Sequence, residues 1–480
     1  MPNAPGNIIK HGLKWSAAAQ AVTQIGKIVR WSVLFYFLTP ADFGLFALAL
    51  LILGLPQILT DGSIGNALIQ ISDISQKMYS SVFWLIITLS GVNFLFFFCT
   101  ADFIAAFFDE SAAAKILVFL SFAYLVHGLG KTAEFVLRKN MNFSYLAKTE
   151  VVGFAADTVV TLVLAGLGYG VWSLAIGLCV SYCVTTPAYL RKVPYSIVLE
   201  YSRTEIQKIR SFARDLTLSS LFTWGMRYAD DLIIGYFFGK SALGVYDRAY
   251  QLVHLPMRLV ANRVNRVLYP VYTSAREKTE DIRRLHLKVT RWSALLYVPF
   301  AVGMILFAEP MINLALPKSW RELAFFLPVL TIGGIFHAFL NMNNSIFLAT
   351  GRSDLQLKYR ILTRSIIFVS YVIGAFWGVE GVAIAYTVGS VIAFFPETYG
   401  ALRLAGISLH RYRYEFKPVS LFLVTVIGAA LVTRYLTDEI PEILIADTIF
   451  FTTGTILLFS NYFRELKTSL FPKRPDGRGV

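Results

Sequence analysis

Apolar stretches close to 20 residues long recur through the chain at intervals of about 20 to 35 residues. An α-helix needs about 20 such residues to cross the hydrocarbon core of a bilayer. The stretches lie near 13–37, 43–62, 79–99, 113–136, 151–168, 171–189, 213–238, 243–268, 292–315, 323–350, 361–378, 381–402, 418–436 and 443–463. That pattern predicts about fourteen transmembrane helices. Composition agrees, since only 15% of residues are charged and 56% are hydrophobic, against about 25% charged in a soluble domain. A soluble chain of 480 residues needs a polar skin over its core, and this one lacks the residues to build it. The expected fold class is an all-α polytopic membrane protein.

The net charge of +14 would suit nucleic acid, but its distribution follows the membrane. With the N-terminus placed in the cytoplasm, the inside loops are basic. Loop 190–212 holds Arg191, Lys192, Arg203, Lys208 and Arg210, and loop 269–291 holds Arg276, Lys278, Arg283, Arg284, Lys288 and Arg291. The outside loops carry Asp102, Asp109, Glu110, Asp438, Glu439 and Glu442, with Lys240, Lys318 and Arg321 as their only cations. This is the positive-inside bias, and it predicts both termini in the cytoplasm and no nucleic-acid partner. The opening "MPNAPGNIIKHGLKW" has no apolar h-region, so the first helix is expected to double as the insertion signal. Cys99, Cys179 and Cys183 are too few for a disulfide framework or a metal site. No metal and no cofactor are expected.

A shift of 200 residues, without gaps, superposes 27–68 on 227–268 with eight identities in 42 positions. They include "YF" at 36–37 and 236–237, Gly44 with Gly244, Ala49 with Ala249, and "LP" at 55–56 and 255–256. Lys27 falls on Arg227. Six helices per unit is an even number, so both halves enter the membrane the same way up. The expected organisation is an N-terminal lobe over 1–210, a C-terminal lobe over 211–410, and two added helices with a basic cytoplasmic tail over 411–480. Parallel repeats of this kind are a transporter architecture, with substrate held at the repeat interface near the midplane.

Several predicted helices carry polar stripes at 100° per residue. The first has Gln20, Gln24, Lys27 and Trp31, with Arg30 at the flank. The fourth has His127, Lys131, Glu134 and Arg138, and the seventh has Ser219, Thr223, Arg227 and Asp230. The eighth has Asp247, Tyr250, His254 and Arg258, and the tenth has His337, Asn341 and Asn344. A charge at the helix centre costs about 2.5–3.5 kcal/mol on insertion scales, so these stripes should face a wet or protein-filled interior. Glu134 with Lys131 and Arg138, or Asp230 with Arg227, can also pair along one helix and act as staples. Lys27 and Arg30 have no acidic neighbour in their own helix, which favours an anionic ligand.

The segment "FLTPADFGLFALALLILGLPQILTDGSIGNALIQ" (37–70) resembles the first helix pair of the Wzx-type polysaccharide flippases, in the polysaccharide-transport branch of the MOP superfamily. The resemblance rests on Leu38, Thr39, Pro40, Asp42, Phe43 and Gly44, then Asp61, Ser63, Ala67, Leu68, Ile69 and Gln70. Gly62 departs from the Leu usual before the motif's Gly. "GKSALGVYDRAYQLVHLP" (239–256) and "LATGRSDLQLKYRI" (348–361) resemble later turns of that family. The resemblance implies movement of undecaprenyl-diphosphate-linked oligosaccharide units from the inner to the outer leaflet of the bacterial inner membrane. The product would be exopolysaccharide, capsule or O-antigen. It implies no enzyme chemistry; coupling would come from a proton or sodium gradient or the membrane potential. Partners would be the lipid-linked oligosaccharide, membrane lipids, and a polymerase with its export machinery.

On that reading a cationic cavity of Lys27, Arg30, Arg227 and Arg258 receives the diphosphate. Arg offers two parallel donors to phosphate oxygens, and Lys a point charge. Gln20, Gln24, Trp31, Tyr250, Asn341 and Asn344 are the glycan-contacting candidates, and Glu134 and Asp230 the coupling candidates. A cation-coupled multidrug exporter of the same superfamily is the alternative, although its site should be acidic where helix one is basic. A membrane glycan-transfer enzyme is a third, but no loop is long enough for a catalytic domain.

Overall fold

Residues Thr39, Pro40 and Asp42 show how local chemistry sets the helix boundaries. Thr39 accepts from the Asp42 amide at 3.3 Å, and the Asp42 carboxylate accepts from the Thr39 amide at 2.9 Å. This capping box satisfies amides that the first helical turn leaves unpaired, and Pro40 sits where its missing N–H costs nothing. The other carboxylate oxygen of Asp42 accepts from the amide of Val171 at 3.1 Å. One side chain therefore caps two helices, and the spacing of the 38–44 motif has a structural reason.

The computed structural model describes residues 5–71, 73–254, 279–436, 448–449 and 451–455. Every regular element among them is helical. In chain order they are α1 (Pro5–Phe37), α2 (Pro40–Gln70), α3 (Gln76–Phe107), α4 (Ser111–Lys139), α5 (Phe143–Gly166), α6 (Val171–Lys192), α7 (Arg203–Arg227), α8 (Ala229–Phe237) and α9 (239–254). After these come α10 (Thr279–Ala315), α11 (Leu323–Ala349), α12 (Ser353–Gly374), α13 (Gly378–Leu404), α14 (Leu409–Glu415) and α15 (Lys417–Leu436). Eight helical elements among the described residues are long and apolar enough to cross a membrane; the last, Asp354–Leu404, contains both α12 and α13. The chain is an all-α, multi-pass membrane protein. Arg258, the expected eighth helix beyond residue 254, and most of the fourteenth lie outside the described residues.

The chain divides into two compact units, Met1–Asp247 and Arg248–Val480. In the first, α4 packs against α3 and α6, and α5 against α6 and α1. Its apolar core is built from Leu45, Ala49 and Leu53 of α2, Phe97 and Ala101 of α3, and Leu117 and Leu120 of α4. Gly44 and Gly244 also meet within this unit: a Cβ on either would overlap backbone of the other helix, at Lys240 or at Pro40. Only glycine permits so close a crossing. In the second unit α13 packs on α12 and α11, and α11 on α10. Its core includes Leu295, Val302, Phe339, Met342 and Phe422.

Three helix boundaries differ from the sequence expectation. The expected seventh helix, 213–238, begins ten residues earlier, at Arg203, and breaks at Tyr228 into α7 and α8. The expected inside loop 269–291 is helical from Thr279, because α10 carries its Arg and Lys side chains on the extended end of an apolar span. The second helix contains a π-helical stretch, Ile58–Ile64, just after Pro56. There Ser63 Oγ donates to the Ile58 carbonyl at 3.1 Å, and α7 packs against this stretch. Such π segments insert one residue per turn and concentrate at functional positions.

Candidate functional site

On α1, Gly26 and Arg30 share a face, four residues apart. A Cβ at Gly26 would strike the ring of Phe154, so this face lies on α5. There Arg30 forms an ion pair with Asp157, with side chains 11% and 12% exposed. The other Asp157 oxygen accepts from Thr161 at 2.9 Å. The glycine at position 177 on α6 closes the pocket, since a Cβ there would collide with Thr161 and Asp157. The charge of Arg30, which has no acid in its own helix, is thus matched by an acid on another helix, and the pair ties α1 to α5.

Lys27 lies one position round the helix from Gly26 and is half-buried, as are Gln24 and Trp31; Gln20 is exposed. The stripe expected from the sequence therefore lies beside the α5 contact, and Arg30, at its flank, is on the α5 side. Arg227 is exposed at the last residue of α7, with its guanidinium 5.3 Å from the Tyr228 ring centroid. Tyr228 in turn lies 5.6 Å from the Trp224 ring. These two aromatics and the cation form one surface at the break between α7 and α8. Flat rings beside a cation suit a sugar linked to a phosphate.

Both coupling candidates are buried. The Glu134 carboxylate, 4% exposed, pairs with Lys131 at 3.2 Å and with Arg138. That is the stapling arrangement the sequence allowed for α4. Asp230 is buried at the start of α8, and its carboxylate accepts from Tyr246 Oη at 2.8 Å. Tyr246 belongs to α9, so this bond spans the turn between α8 and α9.

In the second unit, Tyr250 joins an aromatic cluster. Its ring is 4.1 Å from that of His254, whose Nε2 is 3.0 Å from Tyr386 Oη. His337 lies 5.8 Å from His254 by ring centroids. Of the two asparagines expected to meet glycan, Asn344 accepts from Gln356 at 3.2 Å and Asn341 is half-buried. The neighbour not singled out, Asn343, is buried and donates to Thr398 at 2.9 Å. An apolar cavity of about 750 Å³ also lies in this unit, lined by Ile305, Phe336, Phe339, Phe395, Phe416 and Leu423 among others.

Two acids passed over in the sequence reading become prominent. Asp157 stands alone in "VVGFAADTVVTLVLAG", and Glu397 alone in "IAFFPETYGAL". A lone carboxylate inside an apolar run demands a partner or a function, and that signal was available. Among the described residues no group of three or more His, Cys, Asp or Glu is placed to hold a metal.

Residues 33–325 match the family model described as "Polysaccharide biosynthesis protein". That match covers more than half of the chain. The chain belongs to this polysaccharide biosynthesis protein family. Within the curated proteins it is similar to the teichuronic acid biosynthesis protein TuaB of Bacillus subtilis, at 26% identity over 75% of this chain and 74% of that one. It is similar also to the lipopolysaccharide biosynthesis protein WzxC of Escherichia coli, at 24% identity over 79% of this chain and 78% of that one. Among solved structures, the lipid II flippase MurJ in its inward closed conformation aligns with a TM-score of 0.75 at 16% identity, covering 94% of this chain and 99% of that one. The family membership and the likeness of fold agree with the resemblance seen in residues 37–70.

Proposed function

We propose that this chain is a flippase that carries diphosphate-linked oligosaccharide on a polyprenyl lipid from the cytoplasmic to the outer leaflet of a bacterial inner membrane. The observation that carries the reading is membership of a polysaccharide biosynthesis family by a chain whose fold resembles a lipid II flippase. The half-buried Lys27 and Gln24 of α1 support it, since they offer a cation and an amide to a substrate that carries phosphate and sugar. The relatives named above bear the names of different polymers, so on this reading the glycan is the part that varies. Moving an intact lipid-linked unit breaks no covalent bond, so the reading needs no nucleophile. The lobes 1–210 and 211–410, with 411–480 appended, would rock to give alternating access. Energy would come from a proton or sodium gradient or the membrane potential, and a polymerase with its export machinery would consume the product.

The test uses the purified chain in liposomes with fluorescent lipid-diphosphate oligosaccharide added to one leaflet. Accelerated exposure of intact substrate in the other leaflet is the expected result. Cleaved products would point instead to a transferase, and efflux of cationic dyes without glycolipid movement to a drug exporter.

The topology proposed has both termini in the cytoplasm. In a chain with Cys99, Cys179 and Cys183 replaced by serine, Leu199→Cys should resist an impermeant thiol reagent in intact cells and react after permeabilisation. Ser111→Cys should react in intact cells. Labelling of the first and protection of the second would invert the topology.

A further inference from the structure

Glu397 is the acid that the family reading leaves unused. It lies on α13 within the apolar element Asp354–Leu404 and is 5% exposed. Among the described residues it has no ion-pair partner, and its one hydrogen-bond partner is Thr363 of α12, with Oγ1 2.7 Å from Glu397 Oε2. An ionised carboxylate so enclosed is costly unless it is paired.

The Thr363 hydroxyl indicates how that cost is avoided. Its Oγ1 is also 2.7 Å from the Tyr359 carbonyl oxygen. A hydroxyl has one hydrogen and can donate to only one of two acceptors at a time. When Glu397 is ionised, Thr363 must choose between the carboxylate and the carbonyl. When Glu397 carries a proton, it donates to Thr363 Oγ1, Thr363 donates to Tyr359, and all three oxygens are served. Gaining or losing the proton therefore needs only the rotation of one hydroxyl.

The surroundings restrict how that proton comes and goes. Next to Glu397 on the same helix, Thr398 is buried and bonded to Asn343 of α11 at 2.9 Å. About one turn further toward the helix ends, Ile346, Phe347, Ala401 and Leu402 form an apolar cluster with Tyr359 packed against it. The titratable groups on the packed elements are Asp354, Lys358, Tyr359, Arg360, Arg364 and Tyr371 on α12, His337 on α11, and Glu380, Tyr386, Tyr399 and Arg403 on α13 itself. Arg360 and Arg364 share α12 with Thr363, and among the described residues neither forms an ion pair with Glu397.

We propose that Glu397, with Thr363 as its hydrogen-bond relay, is a proton-binding site whose occupancy couples transport to a proton gradient. The chemistry is simple uptake and release, a carboxylate plus a proton giving a carboxylic acid. The link to transport rests on the flippase reading, but the existence of the site does not, and the two are tested separately.

Infrared difference spectra of the full chain in lipid nanodiscs, between acidic and mildly alkaline buffer, test the site with no substrate present. The expected result is a carboxylic-acid C=O band that is lost in Glu397→Gln and shifted in Thr363→Val, which removes the acceptor while keeping the shape. Glu134→Gln and Asp230→Asn should leave that band in place. A band unchanged in both Glu397→Gln and Thr363→Val would overturn the proposal, as would one that follows sodium rather than pH. Should Glu397→Gln fail to fold, the Thr363→Val spectrum decides alone. In liposomes, Glu397→Gln should abolish the response of glycolipid movement to an imposed proton gradient; a preserved response alongside a lost band would limit the site to a structural proton and overturn the coupling. Absence of any glycolipid movement in the unaltered chain, with the band still lost in the variant, would strike the flippase reading and leave the site intact.

Discussion

Arg30→Ala should cost about 3–5 kcal/mol of stability, the price of stranding one member of a buried ion pair. Asp157→Asn should cost a similar amount, because it leaves the guanidinium without an anion. The double replacement Arg30→Met/Asp157→Val should recover most of the loss, since both desolvation costs disappear and apolar atoms fill the space. Thermal unfolding in detergent, followed as a double-mutant cycle, measures the coupling directly. If Arg30→Ala melts like the unaltered chain yet no longer moves glycolipid, the α1–α5 pair is not structural and Arg30 belongs with the substrate contacts. Between a stapling and a ligand role, the geometry favours the staple. Arg30 shares its helix face with Gly26, which the Phe154 ring touches, and its partner is itself held by Thr161.

Lys27 and Arg227 carry the second expectation, in transport rather than stability. Each should supply a charge-assisted hydrogen bond to the diphosphate, worth roughly 1.5–3 kcal/mol, which corresponds to about tenfold or more in affinity. Lys27→Ala and Arg227→Ala should therefore fold normally and transport poorly, and their combination should lose on the order of a hundredfold if the two contacts are independent. Lys27→Arg should be largely tolerated, because the site there needs a charge more than a particular shape. Substrate titration in liposomes would place the defect in apparent affinity. A well-folded Lys27→Ala/Arg227→Ala chain that moves glycolipid at the unaltered rate would remove the cationic site altogether.

Much of this molecule could be read from its residues, for reasons that differ from place to place. The spans were legible because lipid enforces about 20 apolar residues per crossing, and the stripe through Gln24, Lys27 and Trp31 because a helix repeats at fixed angle. The capping role of Asp42 was partly legible, since Thr39 with an acid three residues on is a start signal; its bond to Val171 was not, because nothing local points to a helix 129 residues later. The same limit hid the partner of Arg30. Its own helix holds no acid, and the acid stands on another. The break at Tyr228 escaped because its one marker, Gly225 in the last turn of α7, reads as an ordinary small residue of an apolar span, and the charged start of α10 escaped because basic residues read equally well as loop or as helix end. Glu397 was missed for a different reason. It sits in an apolar run without a stripe of its own, so periodicity gave it no companions.

The pairing of α1 with α5 also sets a schedule for making the protein. Arg30 leaves the ribosome 127 residues before Asp157. At about 5–20 residues per second, α1 waits roughly 6–25 s at the membrane before the residue that neutralises it has been synthesised. During that interval the translocation machinery or the lipid head groups must tolerate an exposed guanidinium at a cost of about 2.5–3.5 kcal/mol. The order of biogenesis follows: α1 is made before α5, and it is seated only once α5 arrives.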